Sequence, residues 1–188
     1  ILLSELYQQF DITLFLMNDT IFYDIPTEID IIYLEKSNPQ ESNLKKLLKL
    51  PLLAWKYKCL NKSELSLSFM YRPNYINVLA KSFGMSGTVL INERNYPSAK
   101  KQQGLQGVLN LFLIKWLYKK ADRTITNALI SNHDLNRNYN VKKITTIYNP
   151  SNIKQIQIKK SSPIRLNTDV FTFISVGSLT QQKNHQLM

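Results

Sequence analysis

Three short clusters and one tail hold the side chains of this sequence that could do chemistry. Met70-Tyr-Arg-Pro-Asn74, Asn92-Glu-Arg-Asn-Tyr-Pro97, and Asn127 with His133 each follow a stretch that reads as a strand. Arg72 and Arg94 can each clamp a phosphate or carboxylate through the guanidinium fork. Glu93 can orient a hydroxyl or act as a base. Equally, Glu93 and Arg94 can pair with neighbours or cap a helix. His133 sits just inside a helical stretch and reads as a surface residue. In the tail, Phe171-Thr-Phe-Ile-Ser-Val-Gly-Ser-Leu-Thr-Gln-Gln-Lys-Asn184 reads as a strand, a turn at Gly177 and a helix start at Lys183. Backbone N–H groups and an ammonium converge in such a turn and can hold a phosphate. Alone the pattern is weak, since a lysine at a loop end is usually a solvated charge.

Other chemistries fail on composition. Two histidines and the lone Cys59 do not make a zinc site. There is no G-x-S-x-G elbow and no Walker A lysine loop. No Asp-x-Asp pair is present to hold a metal–diphosphate complex, and the nearest, Glu28-Ile-Asp30, leads into a strand. Any bound phosphate therefore falls to Lys, Arg and backbone N–H groups, with no metal and no resident cofactor expected.

The elements that must position these residues alternate. Helical spacing covers Ile1 to Phe10, and Asp11 to Met17 is a nearly continuous apolar run, the mark of a strand buried on both faces. Strands are expected over Ile29–Leu34, Leu65–Phe69, Thr88–Ile91, Thr124–Thr126 and Ile144–Tyr148. Helices are expected over Leu44–Asn61 (kinked or split by Pro51), Ile76–Phe83, Leu105–Lys120 and Ile130–Tyr139. On this reading Arg72, Pro73 and Asn74 belong to a loop of fixed shape. Strand–helix alternation means a parallel sheet, because parallel neighbours need crossover connections. The fold class is α/β: a Rossmann-like parallel sheet with helices on both faces over 1–150, a polar linker over 151–168, and over 169–188 the first strand of a second Rossmann-like domain. A doubly wound sheet ordinarily opens with a strand ahead of the first helix, so both ends of the chain read as truncated.

Hydrophobic content of 44% suffices for a packed core, and no apolar run approaches the roughly 18 residues of a membrane span. A single cysteine fits a reducing, cytoplasmic setting. Charge is uneven: residues 1–50 carry eight acids against four lysines, and residues 51–188 carry five acids against twenty Lys and Arg. That asymmetry suits an anionic partner or a merely soluble basic protein. Nucleic acid is disfavoured, since no zinc knuckle, Arg/Gly tract or aromatic RNA-binding signature appears. Two helices could meet an acidic membrane. One is 44–61, with Trp55 and Lys45, Lys46, Lys49, Lys56, Lys58 and Lys62 in or beside it. The other is 105–120, which reads first as a crossover helix with snorkelling lysines.

Taken in order, Ser68-Phe-Met-Tyr-Arg-Pro-Asn-Tyr-Ile-Asn-Val-Leu-Ala80, Ile91-Asn-Glu-Arg-Asn-Tyr-Pro-Ser98 and Tyr118-Lys-Lys-Ala-Asp-Arg123 resemble the acceptor domain of family-4 glycosyltransferases. Ile147-Tyr-Asn-Pro150 and Val176-Gly-Ser-Leu-Thr-Gln-Gln-Lys-Asn184 resemble that family's crossing into its second domain. The resemblance implies the N-terminal half of a GT-B fold and a retaining, metal-independent transfer from a nucleotide-diphosphate sugar. It implies a lipid-linked or glycan acceptor in lipopolysaccharide, capsule or envelope synthesis, at the cytoplasmic face of the inner membrane. By the same resemblance Lys183 matches the donor-diphosphate lysine, and Ser178 stands where the family usually has arginine. Glu93, Arg94 and Asn95 are the candidate acceptor-side catalytic group, where many relatives carry a histidine. Arg72 and Asn74 would face the substrate cleft. A non-catalytic acceptor- or membrane-binding fragment, or a decayed gene product, is the alternative.

Overall fold

The computed structural model describes residues 2–99 and 104–160. The chain divides into two compact units at Pro150/Ser151. Among the described residues the first unit contains six strands: β1 (Thr13–Leu16), β2 (Asp30–Tyr33), β3 (Leu65–Phe69), β4 (Thr88–Glu93), β5 (Arg123–Thr126) and β6 (Ile144–Thr146). Its helices are α1 (Leu2–Leu6), α2 (Asn43–Leu48), α3 (Leu50–Leu60), α4 (Tyr71–Ser82), α5 (Gly104–Leu117) and α6 (Leu129–Tyr139), with a 3-10 turn over Tyr118–Lys120. Every strand pair is parallel, and the fold is α/β and Rossmann-like. The strands form two sheets, β1–β2 and β3–β4–β5–β6.

Local sequence accounts for the helix boundaries. Ser42 caps α2, its hydroxyl accepting from the Lys45 N–H at 3.4 Å. Pro51 falls in the first turn of α3, where its missing N–H is harmless, so the apolar stretch over 44–61 breaks into two helices at Lys49. The α4 helix starts five residues earlier than the apolar spacing suggests. Tyr71 opens it directly after Met70, and Pro73 again sits in a first turn. Arg72 and Asn74 are therefore helical, not in a loop: proline tolerates a helix start, and the polar residues around it conceal the continuing period. Asn140 ends α6 in the left-handed conformation (φ 54°), a role asparagine fills at low cost. Gly87 is obligatory ahead of β4, because at φ +91° a Cβ would lie 2.6 Å from the Glu64 carbonyl oxygen.

The core lies between the four-stranded sheet and α3, α4 and α5. Val89 and Ile91 of β4 meet Tyr75, Ile76 and Val78 of α4 and Ile114 and Leu117 of α5, all essentially without exposure. Each such aliphatic side chain contributes about 1.5–3 kcal/mol on leaving water. In the second unit α7 (Ile153–Lys160) is a helix, where a linker is expected from the Ser, Asn and Lys content around it. Ile153 and Ile156, one turn apart, supply the period that composition hides.

Candidate functional site at the carboxyl ends of the strands

Parallel sheets bind ligands beyond the carboxyl ends of their strands, and there β3 and β4 deliver Met70–Asn74 and Asn92–Pro97. The two segments are joined underneath by a buried hydrogen-bonded chain. The Tyr57 hydroxyl lies 2.7 Å from Ser66 Oγ, which donates to Asn77 Oδ1 at 2.6 Å. Since Ser66 spends its proton on Asn77, Tyr57 is the donor in the first link. Asn77 Nδ2 donates to Ser68 Oγ at 3.2 Å, and Ser68 donates to Asn74 Oδ1 at 2.8 Å. Asn74 Nδ2 donates to the Tyr118 hydroxyl at 3.1 Å and to the Asn92 carbonyl at 3.0 Å. Tyr118 then donates to Glu93 Oε2 at 2.8 Å. Every proton in the chain points toward the Glu93 carboxylate. Bonds aligned in this way polarise one another in a low-dielectric interior.

Glu93 is fully buried. Its other oxygen, Oε1, accepts the backbone N–H of Asn95 at 2.9 Å and so fixes the first turn of the loop after β4. The carboxylate leaves its mark on the phenols around it. Burial first, and the Glu93 charge second, push the hydroxyls of Tyr71, Tyr75 and Tyr118 well above the usual tyrosine range. These phenols remain protonated donors at any physiological pH.

The rest of the loop is pinned from α6. Ser131 Oγ donates to the Asn95 carbonyl at 3.1 Å. The buried Asp134 accepts from the Ser98 N–H at 2.9 Å and from Ser98 Oγ at 2.6 Å. Arg94 Nη2 reaches Asn149 Oδ1 at 3.1 Å, tying the loop to the segment after β6. The outcome is a rigid turn that displays Arg94, Asn95 and Tyr96 on its exposed side. A cation, an amide and a phenol held at a strand end suit recognition of an anionic or hydroxylated ligand.

The expected site residues thus separate. Arg94 and Asn95 are exposed, while Glu93 and Asn74 are enclosed and hold the loop rather than face a ligand. Arg72 lies between these cases: its Nη1 pairs with Glu35 just after β2, and its Nε and Nη2 are buried without an acceptor among the described residues. Glu35 also lies 3.7 Å from Lys49. His133 is exposed on α6. Ser178 and Lys183 lie outside the described residues. The supporting members Tyr118, Ser98 and Asp134 were not anticipated. Their distance in sequence from the loop, 25 residues for Tyr118–Glu93 and 36 for Ser98–Asp134, leaves no local signal.

The outer sides of three helices add a second surface. On α5, Gly107, Asn110, Leu111, Ile114 and Leu117 face inward, while Leu105 is 91% exposed and Phe112 63%. Trp116, on the same outer side, carries Lys120 Nζ 4.0 Å from its ring. On α2 and α3, Leu44, Leu48, Leu52 and Trp55 are exposed, with Lys58 Nζ 4.6 Å from the Trp55 ring. Asn43 Nδ2 donates to Gln106 Oε1 at 3.0 Å and brings the starts of α2 and α5 together. Among the described residues no helix is long and apolar enough to cross a membrane.

A parallel α/β sheet with a fixed loop at its strand ends is consistent with the Rossmann-like half of a GT-B fold. Over its whole length the chain is 39% identical to the N-acetylgalactosamine-N,N'-diacetylbacillosaminyl-diphospho-undecaprenol 4-alpha-N-acetylgalactosaminyltransferase of Campylobacter jejuni, an alignment of 193 residues. The resemblance carried by the motifs is borne out: the chain is similar over its whole length to a glycosyltransferase. It spans 52% of that relative's length. No protein-family model matches it.

Proposed function

We propose that this chain forms the acceptor-side part of a sugar transferase, one that moves an N-acetylhexosamine from a nucleotide-diphosphate donor to a lipid-linked diphosphate acceptor. The observation that carries this reading is the whole-length likeness to a transferase named for a diphospho-undecaprenol acceptor. In this reading the acceptor lies against the exposed Arg94, Asn95 and Tyr96, with the arginine meeting its anionic part. Glu93 acts as a positioning residue, fixing Asn95 through its backbone N–H. Lys183 and Ser178 take the donor diphosphate, no metal takes part, and the anomeric configuration is retained.

A lipid-linked acceptor has to be met at a membrane. The apolar outer sides of α2, α3 and α5, rimmed by lysines, favour peripheral contact with an anionic leaflet. The same features support the second reading, a protein that binds acceptor or membrane without catalysis. One reaction separates the two. The protein is incubated with a UDP-activated, radiolabelled N-acetylhexosamine and polyprenyl-diphosphate-linked glycan in vesicles, and label is counted in the extracted lipid. Label in the lipid is expected. Binding to the vesicles with no label in the lipid would favour the non-catalytic reading.

A further inference from the structure

Away from the Arg94 loop, at the amino ends of β5 and β6, a group of cations surrounds a cavity. The cavity measures about 160 Å³ and is lined by Lys119, Ala121, Asn140, Val141, Lys142 and Lys143, with Tyr118 beside them. Tyr118, Ala121 and Val141 are buried, whereas Asn140 and the three lysines are exposed.

The backbone under these side chains is fixed. The Ala121 N–H donates to the Tyr118 carbonyl at 3.3 Å and closes the 3-10 turn that carries Lys119. Asn140 turns the chain out of α6, and the Val141 N–H then donates to the Leu135 carbonyl at 3.1 Å. The Thr124 N–H donates to the Lys143 carbonyl at 2.8 Å, which holds this second segment beside the first.

The charges so gathered are unspent. Ion pairs among the described residues use Lys49, Arg72 and Lys81 as cations, and none uses Lys119, Lys142 or Lys143. Asp122, just past the turn, accepts from Lys81 Nζ and the Val89 N–H and meets Lys143 only through space. Like charges around one cavity repel, and an anion between them relieves that. A concavity lined by one sign of charge also concentrates the opposite ion. Ammonium groups act as point charges with rotatable donors, so three of them can close on a tetrahedral oxyanion.

We propose that this cavity binds a phosphate group, held by Lys119, Lys142 and Lys143. The site is separate from the Arg94 loop, because in a parallel sheet the amino ends of β5 and β6 lie opposite the carboxyl end of β4. Free phosphate can supply the group, and so can the headgroup of an anionic phospholipid. For the lipid, α5 runs directly into the turn, and half-exposed Trp116, with Lys120 Nζ 4.0 Å from its ring, offers an apolar wall. The proposal does not depend on transferase activity.

The test titrates the isotope-labelled full chain with sodium phosphate against sodium chloride at constant ionic strength. Amide signals of Ala121, Val141, Lys142 and Lys143 should shift saturably. Lys142→Gln with Lys143→Gln should weaken binding at least tenfold. Lys36→Gln with Lys62→Gln, which removes the same charge from exposed positions elsewhere, should leave it unchanged. Thermal midpoints check that both pairs fold, and Lys119→Gln alone gives an independent loss of severalfold. A second arm measures flotation of the same proteins with phosphatidylglycerol vesicles. Flotation lost only in the first pair, without phosphate shifts, assigns the site to the lipid headgroup. Phosphate shifts with equal flotation of both pairs assign it to free phosphate. No saturable shift together with equal flotation would overturn the proposal. An equal loss in the two pairs, the mark of general attraction to charge, would overturn it too, as would shifts confined to the Arg94 loop.

Discussion

Tyr118 donates its hydroxyl proton to Glu93 Oε2 at 2.8 Å, and both side chains are fully buried. This bond ends the chain that begins at Tyr57, and through the Asn95 N–H it sets the loop carrying Arg94. Replacing Tyr118 by Phe removes one donor from a buried carboxylate. The cost should be about 1–3 kcal/mol in urea unfolding. A loss below roughly 0.5 kcal/mol, within the range of surface substitutions, would mean that Glu93 does not depend on this bond.

Met70 joins β3 to α4 at φ 74° and ψ 160°, a region that glycine occupies and side chains avoid. Its side chain is mostly exposed, so little packing opposes its removal. Met70→Gly should stabilise the protein by about 1 kcal/mol, at the low end of the strain for such a residue. A clear destabilisation would show that the thioether's contacts outweigh the backbone strain.

Asp122 fastens the turn before β5, accepting from Lys81 Nζ and, at 2.7 Å, from the Val89 N–H. Partial burial pushes its carboxyl up, but the bonds from Lys81 and Val89 outweigh that and hold it below its ordinary value of 3.8. With the folded-state value depressed, its stabilisation is complete above the ordinary value and fades as pH falls through the lower one. Asp122→Asn should therefore lower stability at neutral pH and flatten its acid dependence below about pH 4. Parallel pH profiles for the two proteins would contradict this.

Leu105, Phe112 and Trp116 share the outer side of α5 with lysines around them. If this surface meets an anionic membrane, the pair Leu105→Glu and Phe112→Glu should abolish most flotation with phosphatidylglycerol vesicles while leaving the thermal midpoint unchanged. Flotation equal to that of the unaltered protein would exclude α5 as the contact.

Alternation and period made the parallel α/β order legible from sequence, and strand positions were right to within a few residues. Arg72 and Asn74 show where that reading stops. Their helix opens with Tyr-Arg-Pro-Asn, whose polar side chains bury themselves against β3, Glu35 and Tyr118 rather than follow an apolar stripe. The site was legible as a cluster, since Glu93, Arg94 and Asn95 do stand at a strand end. Their division into one buried scaffold residue and two displayed ones was not, because it depends on Tyr118, Ser131 and Asp134 arriving from later elements.

The displayed arginine is the most direct test of the acceptor assignment. Transfer of labelled N-acetylhexosamine to a polyprenyl-diphosphate-linked acceptor would be measured for the unaltered protein and for Arg94→Gln, with acceptor concentration varied. Loss of one charge-assisted contact, worth about 1.5–3 kcal/mol, should raise the acceptor KM roughly ten- to a hundredfold and leave the donor KM near its original value. An unchanged acceptor KM, or a rise confined to the donor, would contradict the placement of the acceptor at this loop.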